Sequence, residues 1–75
     1  MSTLDTLAAD LALEVLKVQD ATGQDRLYVE IGEVLAASSQ SLEEAFLTEI
    51  RMRLAARKAH DFLNARAKSL AATQD

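Results

Sequence analysis

Acid–base, nucleophilic or metal chemistry in this chain would have to start from one histidine, a few closely spaced carboxylates and a group of serines. The histidine is His60. Its neighbour Asp61 is adjacent in sequence, so on a helix the two side chains point roughly 100° apart and form no dyad. Asn64, one turn on, is a better placed neighbour. A lone histidine in a chain with no cysteine cannot assemble the clusters typical of zinc sites. His60 therefore reads as a solvated or partner-facing side chain. Glu30, Glu33, Glu43 and Glu44 suggest paired carboxylates, but acid–base work needs a cleft that perturbs their pKa values. Three short helices offer little room for one, and capping or solvated-face roles account for these acids. Ser38, Ser39 and Ser41 fall at a turn and a helix start, with no glycine-rich phosphate loop around them. The expectation is a non-enzymatic protein without cofactor or metal.

One constellation is charged in a periodic way. Arg53, Arg57, His60, Asn64 and Lys68 are spaced at steps of four, three, four and four, a polar and mostly basic ridge on one helix face. Such a ridge could track a nucleic-acid backbone through phosphate contacts. It lacks interleaved aromatics for base stacking, and the whole chain carries a net charge of −4. The charge is unevenly spread. Residues 1–50 hold ten acids against Lys17 and Arg26, and residues 51–75 hold six bases against Asp61 and Asp75. That split is read first as two helices of opposite charge lying side by side, and second as a basic tail for an acidic partner. A helix-turn-helix docking is rejected because the second helix would present Glu43 and Glu44 to the groove.

The ridge sits on a run from Ser41 to about Leu70 that has no proline and no glycine. Ser41 and Glu44 have capping-box spacing, and strong helix formers dominate the rest of the run. The predicted helix spans about 41–70. Leu42, Phe46 and Ile50, with Leu47 and Leu54 beside them, make one apolar stripe along its first half. Met52, Ala56, Ala59, Leu63, Ala67 and Leu70 make a second, rotated by roughly a third of a turn. Phe62 widens it. The reading is one helix that packs on its own chain at the first stripe and offers Met52, Ala56, Ala59, Phe62, Leu63 and Leu70 to another chain at the second. Half of the stripe is alanine, with few bulky anchors, which is too weak for a bilayer.

Two further elements precede it. A first helix, about 3–21, carries Leu4, Ala8, Leu11, Val15 and Val18 as its expected buried stripe, with Ala9, Leu13 and Leu16 as a second apolar line. Ser2 or Thr3 starts it, and Gly23 stops it because glycine takes the left-handed conformation cheaply. Residues 25–37 fit a strand by the alternation of Leu27, Val29 and Ile31, or a helix face by Leu27, Ile31, Val34 and Leu35. A lone strand has no pairing partner elsewhere in the chain, so helix is preferred. Gly32 then marks a weak spot or a close helix approach with Ala36.

The fold class expected is therefore all-α: one domain over residues 1–75, three helices, a long C-terminal helix, a frayed tail from about residue 71, and a bundle completed by oligomerisation. At this length a chain buries only about 60% of its unfolded surface, and without disulfides an oligomer is the natural remedy. No run approaches a membrane span, and the N-terminus has acids where a secretory signal needs positive charge. The default is a cytoplasmic protein that acts through protein–protein interaction, with a homodimer as first partner. A nucleic-acid accessory role for Arg53, Arg57, His60 and Lys68 is the alternative.

Overall fold

The structure, a computed structural model, describes residues 2–73. They form α1 (Thr3–Thr22), α2 (Leu27–Ser38) and α3 (Gln40–Ala72), with no strand among the described residues. The ambiguous middle segment is thus a helix, as the lack of a strand partner required. The chain goes up, down and up. Gly32 of α2 faces Leu47 of α3 across the turn at Ser39, so these two run antiparallel. Asp5 and Ala8 of α1 share a trough with Ala45 and Thr48 of α3, and Asp20 meets Arg57, so α1 and α3 run the same way.

α1 begins at Ser2, whose hydroxyl accepts from the Asp5 N–H at 3.1 Å. It ends at Gly23, which takes φ 73° and donates its N–H to the Gln19 carbonyl at 2.8 Å. The left-handed residue turns the chain sharply, so residues 23–26 are spent on the turn and α2 starts at Leu27 rather than near 25. Arg26, at the N-cap of α2, offers no side-chain hydrogen bond. The missing acceptor comes from α1 instead: the Gln19 Oε1 atom, on a residue only 7% exposed, accepts from the Tyr28 N–H at 2.8 Å. A helix start left without such a partner has orphan N–H groups. Gln19→Leu keeps the volume and deletes the acceptor. It is expected to destabilise the fold by about 1–3 kcal/mol, because a part-buried donor loses its bond. Urea denaturation should show Gln19→Glu, which retains an acceptor, losing less; equal losses would assign the effect to packing.

The α2–α3 junction is a single extended residue, Ser39, with φ −157° and ψ 105°. Its N–H closes α2 on the Leu35 carbonyl at 2.7 Å. Its hydroxyl opens α3 by accepting from the Leu42 N–H at 3.2 Å. The cap is therefore Ser39 and not Ser41, despite the favourable Ser41–Glu44 spacing: so short a connection makes the residue that ends one helix begin the next. Gly32 is buried, and a Cβ built on it would come 3.5 Å from Leu47 Cδ2, so α2 and α3 approach closely there. Ala36 points outward.

The core is small. Ala12, Val15 and Leu16 of α1 meet Phe46 and Ile50 of α3, with Leu27, Tyr28, Ile31 and Leu35 of α2 packed against them, and Ala8 of α1 is buried as well. In α1 the buried face runs between the two apolar lines of the sequence. Leu4 and Val18, expected inside, are exposed, and Ala12, which belongs to neither line, is fully buried. The reason is geometric: α2 covers the Leu11 and Val15 side and α3 the Leu16 side, which leaves the middle of the apolar arc deepest. In α3 the first stripe is the inward one, with Phe46 and Ile50 buried and Leu42, Leu47 and Leu54 half-buried.

Candidate functional site

At 1.5 Å per residue the 33 residues of α3 extend about 50 Å, while α1 and α2 accompany only its first half. From Ala55 to Thr73 every residue is exposed. The consequence is a molecule of 58 × 30 × 13 Å with a Cα radius of gyration of 16.1 Å, where a compact domain of 75 residues has about 11 Å.

All six residues expected at a partner interface lie on the surface. Met52 is 56% exposed, Phe62 72%, Leu63 60% and Leu70 47%, and Ala56 and Ala59 are exposed with them. Helical spacing puts Met52, Ala56, Ala59, Leu63 and Leu70 on one flank of α3, roughly a third of a turn from Phe46 and Ile50. Phe62 stands at the edge of that flank. The fold brings α1 residues beside it that the sequence did not single out for this role. Met52 closes an open trough of about 400 Å³ whose floor includes Leu4, Ala8 and Ala45 and whose rim carries Asp5, Glu44 and Glu49. Ala56 lines a second hollow of about 260 Å³ with Leu13, Arg57 and His60. Leu13 belonged to the second apolar line of α1, and only the parallel packing of α1 on α3 places it there. A third hollow, between Leu11, Val15 and Val18 of α1 and Leu27 and Ile31 of α2, lies on the other side of α1.

The basic ridge is divided. Arg57 donates from both terminal nitrogens to Asp20, Nη1 to Oδ1 at 2.9 Å and Nη2 to Oδ2 at 2.8 Å. Such bidentate pairing fixes geometry as well as charge. The hydrogen bond to Asp20 raises the Arg57 pKa, partial loss of hydration opposes it, and the fields of Asp20 and then Asp61 add to the rise. Arg53 is half-buried, with Nε 3.7 Å from Glu49 and without a hydrogen-bond partner among the described residues. His60, Asn64 and Lys68 are exposed on the projecting part. The pairing of Arg57 with Asp20 joins the basic and acidic halves of the chain side by side.

Of the remaining candidate groups, Glu33 and Glu43 line one open hollow of about 240 Å³ with Tyr28 and Arg51. Ser39 is engaged in capping, Ser41 lies at the trough, and Glu30 and Glu33 are exposed. Among the described residues no group of three or more His, Asp or Glu side chains is placed to hold a metal ion. No helix among them is long and apolar enough to cross a membrane. Compared with protein-family models, curated proteins and solved structures, the chain matches none.

Proposed function

We propose that this is a small non-enzymatic protein that works through protein–protein interaction, beginning with self-association into a homodimer. The observation that carries the reading is the projecting half of α3: fifteen residues, 58–72, all of them exposed, with Leu63 and Leu70 aligned on one flank. An isolated helix of that length is marginal in water. A second surface that covers its apolar flank supplies the packing that the chain itself does not.

The alternative, a nucleic-acid accessory built on the basic ridge, is less well supported. Arg57 is engaged by Asp20 and Arg53 sits half-buried beside Glu49. Among the described residues, His60 and Lys68 are then the members of the ridge free of ion pairs, on a chain of net charge −4.

Sedimentation equilibrium tests the reading. The expected result at micromolar concentration is a species of twice the 8.2 kDa chain mass that dissociates on dilution. A single 8.2 kDa species at every concentration would overturn it.

A further inference from the structure

We infer that the partner seat is the acidic trough between α1 and α3 of a second copy, entered by the projecting half of α3 in an antiparallel pair whose two-fold axis passes at Ala56. The inference rests on the self-association reading and specifies which surfaces meet.

The chain exposes 5637 Å², whereas a compact monomer of 8.2 kDa exposes about 4,500 Å². The difference, about 1,100 Å², is comparable with the ~800 Å² that each partner contributes to a stable interface. The elongation thus leaves a surplus of the size that one dimer contact removes.

Ala56 is the midpoint of Gln40–Ala72, and it lies on the exposed apolar flank. Two copies of α3 laid antiparallel about that point overlap completely, and each projecting half covers the packed half of the other. Residues equally distant from Ala56 then face each other. Ala67, eleven residues after it, meets Ala45, eleven before, and Leu63 meets the Thr48–Met52 stretch. The small side chains at Ala45, Ala56 and Ala67 allow the backbones to come close there, while Leu63 enters the trough.

Residues 58–73 carry Lys58, Arg66 and Lys68 against Asp61, whereas residues 1–57 carry ten acids against five bases. The trough is rimmed by Asp5, Glu44 and Glu49. Asp5 accepts from the Ser2 hydroxyl, Glu49 lies near Arg53, and Glu44 has no ion-pair partner among the described residues. The antiparallel register brings Arg66, at the edge of the flank, to within a helical turn of the partner's Glu44. A parallel pair would instead stack the like-charged projecting halves on each other. The hollow between α1 and α2 lies away from the exposed flank of α3, so seating a helix there would leave Met52 and Ala56 uncovered.

The chain has no cysteine, so engineered ones report without background. Disulfides need Cα atoms roughly 4.4–6.8 Å apart, which restricts them to true neighbours. Under mild oxidation Ala56→Cys should link to itself and give a covalent dimer in high yield. A mixture of Ala45→Cys and Ala67→Cys should give the mixed dimer, while each variant alone should give little. Far-UV circular dichroism of the reduced variants confirms that they are folded. If the wild type sediments as a dimer but Ala67→Cys links to itself, or Ala45→Cys and Ala67→Cys fail to link, this arrangement is wrong and self-association stands. If the wild type sediments as a monomer at every concentration, both fall.

Discussion

Phe46→Ala should remove a large part of the stability of the three-helix body. Phe46 is fully buried, and it is the largest side chain among the fully buried ones, meeting Ala12, Val15, Leu16 and Ile50 in the centre of the core. Truncating a buried phenylalanine typically costs about 3–5 kcal/mol, through lost transfer energy and the cavity left behind. A domain of 75 residues has only about 4–11 kcal/mol in total. At roughly 4–8 °C per kcal/mol for a chain this small, the midpoint of thermal unfolding should fall by at least about 12 °C, and the transition should broaden at the upper end of the range. The matched comparison is Phe62→Ala, on the same helix but 72% exposed. At concentrations where the protein is monomeric it should change stability by about 0.5 kcal/mol or less. Equal losses at Phe46 and Phe62 would mean that the projecting half of α3 packs against its own chain.

The contrast between these two phenylalanines was legible in the sequence. Phe46 falls in step with Leu42 and Ile50, and Phe62 does not. Three helices could likewise be read from periodicity, from Gly23 and from the absence of a strand partner for residues 25–37. What could not be read has a common physical origin: a local pattern allowed several answers and a distant contact selected one. α1 has two apolar lines, and only the positions of α2 and α3 decide that Ala8 and Ala12 are deepest. Ser39 and Ser41 both stand where a cap is needed, and the one-residue connection selects Ser39. The start of α2 has no good local cap, and Gln19 supplies it from the preceding helix. Arg57 has the spacing of a solvated ridge, yet Asp20, 37 residues away, takes its guanidinium. The candidate interface obeys the same rule. Its α3 residues were visible as a stripe, while Leu4, Leu13 and the acidic rim came to it only through folding.

Leu63→Asp should separate assembly from folding. Leu63 is 60% exposed on the projecting half of α3, so within one chain the change is a surface substitution, worth about 0.5 kcal/mol or less. In the proposed dimer the same side chain enters the trough between α1 and α3 of the other copy. An aspartate there would bring an unpaired charge to a site already rimmed by Asp5, Glu44 and Glu49. Burying an unpaired charge costs several kcal/mol unless the group neutralises. Each 1.4 kcal/mol is tenfold in affinity, so the dissociation constant should rise by about 100-fold or more. Sedimentation equilibrium should then find monomer where the wild type is dimer. The core transition, monitored at concentrations where both proteins are monomeric, should keep its midpoint. The projecting half, deprived of its cover, should lose helicity on heating before the core does, because a helix of that length has little stability of its own. Asn64→Asp adds the same charge one residue on, roughly 100° around the helix, and should leave the dimer largely intact. If Leu63→Asp remains dimeric with an unchanged midpoint, or if Asn64→Asp is equally disruptive, the apolar flank of α3 is not the surface on which two copies meet.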